Sequence, residues 1–595
     1  MSMPKDPAAP AGAAGSSVLP RREFRWLMAA LMIGLMLGAL DQTVVVTALK
    51  SISQQLHGLS MEAWVSTAYL ITSTISMAIY GRLSDIYGRR KLYLGAIVIF
   101  VAGSAMSAFS QSIWELASFR ALQGIGAGGL MGLPGIILSD VLSSRERGRY
   151  TGYILSAFGV ASVIGPLIGG ALASQQELLG ISGWRWIFLV NVPLALVALV
   201  MAAKVLTLPY QRVNRRIDYW GALALIVMVV PVLVLAQQGG AWGWTSDASG
   251  ICYAVAVVAL VAFLRIQTRM GMDAMIPLKL FRIGVFNISS VLNLSLGFGT
   301  FGAFVLVPLY LQVVLGKSPT VAGLATVPWM LTSILGSTIT GRLMLRYGTY
   351  KLVTLIGFGL SAASILLFAT AGTHTSLLSV VLIMAFMGLG IGLCRTPLTV
   401  AVQNVVPPQE IGVATGSTRF FQMMGGTLGT ALLLAVTFDL VVQKATSQYA
   451  AALRSPSFTR LLTDPAVLAD SANRQLVQAL SHGGVAGLNL NNTALLAQLD
   501  PTLAHPLLAG FAQAMDVAFL ICGIILAAGF VFGFWFKDVP LSRKAGTQRR
   551  AEAAAGGAGG GTGTTTAVPA ASPAGARSGY PADGAAEAPA ANADD

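Results

Sequence analysis

Asp41 sits in the middle of a long apolar run, Gly38-Ala39-Leu40-Asp41-Gln42-Thr43-Val44-Val45-Val46-Thr47-Ala48-Leu49. A carboxylate away from water is costly when charged and much less so when protonated. A second ionisable residue, Arg120, interrupts the apolar run "SFRALQGIGAGG". An arginine at the centre of a membrane helix costs roughly 2.5–3.5 kcal/mol on insertion scales, so it needs a partner or a wet cavity. At 1.5 Å per residue, Asp41 lies about 13 Å below the surface marked by Lys50, and Arg120 about 12 Å from Ser112 on a helix running the other way. The two can therefore share a level. Such a pair could be a structural ion pair only. It could also load a proton on one side and release it on the other, with substrate binding opposing the protonated form. We expect the second use, with Asp41 and Arg120 as the proton-coupling residues.

Two glycine-rich stretches could move helices past one another. "GRLSDIYGRRK", 81–91, combines Gly81 and Gly88, which permit a tight loop, with Arg89 and Arg90, which suit lipid headgroups. Asp85 can cap a helix N-terminus or pair with a nearby arginine such as Arg145. An ordinary basic loop would also read this way. However, "GRLMLRYGTYK" at 341–351 returns the glycines, Arg342 and Lys351, with Leu345 in place of Asp85. We expect a gating loop with its charged latch in one half only. "GVASVIGPLIGG", 159–170, places Gly159, Gly165, Pro166, Gly169 and Gly170 on one helix. Proline bends a helix, and glycines admit a close neighbour. "GIGAGG" also fits a dinucleotide fingerprint, but no strand precedes it.

The elements that must hold these residues are membrane helices. Of 595 residues, 55% are hydrophobic and 10% charged, against about 25% charged in soluble domains. Fourteen apolar segments are long enough to span: 25–49, 63–81, 92–110, 113–137, 150–173, 185–205, 217–237, 250–266, 284–313, 319–340, 351–371, 376–398, 412–437 and 511–535. The net charge of +14 gathers in alternate loops, as in Arg145/Arg147/Arg149 and Arg212/Arg215/Arg216. That alternation puts the basic loops and both termini in the cytoplasm, and it excludes nucleic acid as the reason for the charge. Cys252, Cys394 and Cys522 lie in apolar segments, so no disulfide is expected. The first twenty residues lack an apolar core, so no cleavable leader is expected either.

An internal repeat divides the chain. Gly124, Gly126, Gly128, Glu146, Gly148, Thr151 and Gly152 recur 264 positions later as Gly388, Gly390, Gly392, Glu410, Gly412, Thr415 and Gly416. The fold expected is an all-α polytopic membrane protein. Its fourteen transmembrane helices form two pseudo-symmetric six-helix bundles plus an inserted central helix pair. The parts are a cytoplasmic tail (1–24), the N-terminal bundle (25–205), the inserted pair with its loops (206–282), and five helices of the C-terminal bundle (283–437). A long extracytoplasmic loop (438–510), the last helix (511–536) and a disordered cytoplasmic tail (537–595) follow. Two similar halves around a central site suit a rocking transporter.

These motifs, with "WRWIFLVNVP" at 184–193, resemble the major facilitator superfamily. "LDQTVV", "GKSPTVAGLATVPW" at 316–329 and the helix count resemble its fourteen-helix drug–proton antiporter branch, and the Gly159–Gly170 run resembles that superfamily's antiporter motif. Lys50 stands where that branch usually closes its helix-one motif with proline. The resemblance implies that the first and fourth helices are neighbours and that Asp41 serves proton coupling. It also implies a multi-pass protein of the cell membrane that binds no cofactor, is driven by the proton gradient, and works as a monomer.

The substrates expected are lipophilic small molecules exported by alternating access. Candidate cavity residues are Gln42, Tyr69, Gln123, Phe158, Asn293, Phe301, Trp329, Phe421 and Gln422, since rings and amides suit large apolar ligands. The segment 319–340 has no acid, which favours neutral or monocationic cargo over dications. Exporting a native lipid, siderophore or other metabolite is the alternative. A phosphate loop is excluded by Leu311 in "LQVVLGKS", where its first glycine belongs. The four scattered histidines, His57, His374, His482 and His505, make no metal or catalytic cluster, and no enzyme is expected.

Overall fold

The computed structural model describes residues 20–56, 62–173, 175, 177–206, 217–317, 319–407, 410–462, 464–481 and 499–541. The tail expected over 537–595 lies outside them from residue 542 on, as do most of the basic loop at 206–216 and residues 482–498 of the expected outer loop. Apart from one two-stranded antiparallel hairpin, β1 (Glu177–Leu178) with β2 (Ile181–Ser182), the described chain is helical.

The first half holds α1 (Arg21–Gln55), α2 (Glu62–Tyr87), α3 (Arg89–Ala108), α4 (Ile113–Val141) and α5 (Ser144–Ala173). Its sixth span is broken into α6 (Arg185–Leu189) and α7 (Asn191–Val205). The inserted pair is α8 (Tyr219–Trp242) and α9 (Asp247–Met270). The second half holds α10 (Gly284–Val313), α11 (Pro319–Ala325), α12 (Val327–Tyr347), α13 (Lys351–Phe368), α14 (Leu377–Val405) and α15 (Ile411–Ala452). Three short helices follow: α16 (Pro456–Leu461), α17 (Pro465–Leu468) and α18 (Ser471–Ser481). The last is α19 (Pro501–Gly533). Twelve membrane-length helices are apolar enough to cross a bilayer. With α2 and α5, 26 and 30 residues long, they make fourteen long helical elements among the described residues.

The helix starts follow from local chemistry. Ser112 accepts a hydrogen bond from the Glu115 amide at 3.2 Å, while the Glu115 carboxylate accepts from the Gln111 amide at 2.8 Å. Ser143 and Glu146 form a reciprocal cap at the start of α5, which is the capping-box arrangement. Several helices run past the expected ends, α1, α15 and α19 among them. Without a proline at Lys50, α1 continues to Gln55. Helix α15 continues to Ala452, and α19 begins at Pro501 behind its cap Asp500. Part of the expected loop is therefore helical, and Tyr449 donates to the Leu503 carbonyl at 2.7 Å.

The halves repeat one packing scheme. In the first, α1 packs on α5 and α7, while α4 packs on α2 and α3. In the second, α10 packs on α15 and α19, and α14 on α12 and α13. The halves meet along two seams, α2 with α15 and α5 with α12. The inserted α8 lies against the first seam, where Leu225, Val229 and Leu233 bury with Ile71, Ile75 and Phe420. Its partner α9 leaves Ile251, Val257 and Val258 exposed, 60–69% of each. Such an apolar face suits lipid rather than water.

Candidate proton-coupling site and central cavity

Asp41 and Arg120 meet. The α1–α4 packing puts the Arg120 guanidinium in a short ion pair with the Asp41 carboxylate, with 0% of Asp41 and 1% of Arg120 exposed. The other carboxylate oxygen accepts from Gln123 Nε2 at 2.8 Å and Asn191 Nδ2 at 2.9 Å. Arg120 also donates to Gln123 Oε1 at 2.8 Å and stacks on the Tyr69 ring, 4.1 Å from its centroid. Tyr69 in turn donates to the Gly38 carbonyl at 2.9 Å. Arg120, Gln123 and Asn191 all donate to the carboxylate, and such bonds favour its charged form.

The residues expected to form a gating loop lie where α2 meets α15 of the other half. A Cβ on Gly81 would lie 2.8 Å from the Gly412 carbonyl oxygen, so only glycine lets α2 approach α15 this closely. Asp85 accepts from the Val413 amide at 2.9 Å, capping the start of α15, and pairs with Arg89 at 2.6 Å. Arg89 also binds Asp140 at 3.0 Å, and Arg90 donates to the Ala203 carbonyl at 2.7 Å. Gly88 turns the chain with φ +89. The side chain of Arg145, like those of Phe158 and Pro166, lies outside the described residues. On α5, Gly165 faces Thr43 of α1, where a Cβ would lie 2.0 Å from its hydroxyl, and Gly159 faces Met330 of α12. Gly169 is buried and Gly170 is open.

A cavity lies between the halves near this gate. Leu35, Met77, Met131, Pro134, Gly135, Leu138, Arg147 and Ile154 line it from one half, and Arg395, Thr399, Gln403, Arg419 and Met423 from the other. Arg147 hydrogen-bonds Gln403 across the halves, and Gln403 donates to Thr415 at 3.0 Å. None of the cavity residues expected from sequence is among these liners. Tyr69 and Gln123 belong to the Asp41 cluster. Asn293 and Trp329 are buried in helix packing, Phe301 meets Gly426, and Phe421 stacks near Phe281. Gln42 is half-buried on α1, and Gln422 touches the cavity only by accepting from Arg419 at 2.8 Å. Rings and amides in this chain mostly fill helix contacts, which composition alone does not reveal. Asn191, Arg147, Gln403, Arg395 and Arg419 were not singled out. The three arginines carried the same signal as Arg120, a charge in or beside an apolar run.

Two helical halves that repeat one packing scheme, with a cavity between them, are the architecture of a membrane transporter. The chain belongs to the Major Facilitator Superfamily, whose sequence model matches residues 31–430. It is 32% identical to the multidrug transporter protein MdtP of Bacillus subtilis, over 89% of this chain and 96% of that one. It is 37% identical to a tetracycline resistance determinant of Streptomyces rimosus, over 57% of this chain and 96% of that one. A solved proton:xylose symporter, XylE, shares the fold with TM-score 0.54 at 17% identity, covering 89% of this chain and 99% of that one.

Proposed function

We propose that this chain is a proton-coupled efflux antiporter of the cell membrane, working as a monomer with both termini in the cytoplasm. Asp41 takes a proton from outside and releases it inside. Protonation weakens the hold of Arg120, Gln123 and Asn191, and lets α1 and α4 shift with their half. Lipophilic compounds leave through the central cavity as access alternates. The observation that carries this reading is the sealed Asp41–Arg120 pair in the middle of the first half. Relatives named for multidrug transport and tetracycline resistance support drugs as cargo. The sequence favours neutral or monocationic cargo, and the three arginines among the cavity liners weigh against the cationic part of that range.

The test is drug uptake into inverted membrane vesicles under an imposed pH gradient. Wild type should accumulate drug and discharge the gradient, whereas Asp41→Asn should do neither. Full coupled transport by Asp41→Asn would leave Asp41 a structural ion pair. Export of a native lipid, siderophore or metabolite remains the second reading. A deletion strain with normal dye accumulation and drug sensitivity would favour it.

A further inference from the structure

The central cavity carries charge that proton coupling does not use. Arg395 of α14 and Arg419 of α15 both line it, each half-buried. They lie close enough for their charges to repel. Among the described residues, neither is in an ion pair. Arg419 gives one donor to Gln422 of its own helix, and the buried Nε of Arg395 has no hydrogen-bond partner. Among the described residues, no aspartate or glutamate lines the cavity. The buried first-half acids are already engaged, Asp41 by Arg120, Gln123 and Asn191, and Asp85 and Asp140 by Arg89.

Each arginine inside a membrane helix is costly, and repulsion between two adds to that cost. An anion offsets both costs, because guanidinium forks bind carboxylate, sulfonate or phosphate oxygens in pairs. The remaining wall is apolar and adaptable, with Met77, Met131 and Met423 in it. Methionine side chains conform to varied apolar shapes. We infer that this cavity takes amphiphilic organic acids. The anionic group sits between Arg395 and Arg419, and the apolar body lies on the methionines. The inference rests on the efflux reading above and names a cargo class for the same cavity.

The experiment uses the full chain in proteoliposomes with three probes: anilinonaphthalene sulfonate, its neutral relative phenylnaphthylamine, and cationic ethidium. Wild type should move the sulfonate faster than ethidium. Arg395→Gln and Arg419→Gln should each lower the sulfonate-to-neutral transport ratio about tenfold, the effect of one lost charge-assisted hydrogen bond. Arg395→Lys should recover part of the ratio, and Arg346→Gln, exposed far from the cavity, should leave it unchanged. An unchanged ratio in both glutamine variants overturns the inference. So does transport of the neutral probe or ethidium without the sulfonate, and in that case the efflux reading stands. Failure of all three probes in wild type removes both.

Discussion

Asp41 pairs with Arg120 so closely that removing either charge strands the other. Arg120→Ala leaves a buried carboxylate with no cation, at a cost of about 3–5 kcal/mol. We expect a clear drop in thermal stability in detergent. Asp41→Asn keeps an acceptor for Gln123 or Asn191 but strands the buried Arg120 cation, so it should also unfold at a lower temperature, and it should lose coupling. The double variant Asp41→Asn/Arg120→Ala should be less destabilised than the sum of the two, since the stranded charge is gone. A strictly additive result would mean that the pair contributes little.

Residue-scale legibility followed charge. Asp41 and Arg120 stood out because ionised groups are rare in apolar runs. Asn191 did not, since an amide in a helix is equally at home in packing, and only the rotation of α7 aims it at Asp41. Arg395 and Arg419 were as visible as Arg120, but no acid in the sequence marked a partner for them.

At the scale of helices, the α2–α15 contact joins the two halves. Gly81→Val would force α2 off α15, an overpacking cost of about 1–3 kcal/mol borne by this closed arrangement. Drug efflux from intact cells should fall, with the protein still present in the membrane. Gly95→Ala, where a Cβ would meet nothing within 4 Å, is the control and should be silent. Element existence was plain in the apolar runs, but element ends were not. A search for membrane-length apolar segments stops at the bilayer surface. Helix α15 runs on because Val441, Ala445 and Tyr449, each four residues apart, keep one buried stripe. That periodicity is in the sequence and could have been read there. The amphipathic α18 likewise buries Leu476 against the second half.

For the whole molecule, the halves are tied together at the end that carries the basic loops, by Asp85 on Val413 and Arg147 on Gln403. A rocking cycle must break both ties. In a chain with Cys252, Cys394 and Cys522 replaced, Arg147→Cys/Gln403→Cys joined by a bifunctional thiol reagent should stop transport. A reductant that cleaves the bridge should restore it. Undiminished transport by the bridged protein would mean that this end does not open.

The inserted helices α8 and α9 make the molecule lopsided in a way that the internal repeat does not. Helix α8 lies along one line of contact between the halves, while the other, where Gly159 packs near Met330, is made by α5 and α12. If the halves part during transport, the two lines would open into unlike surroundings, one behind an extra helix pair and one not.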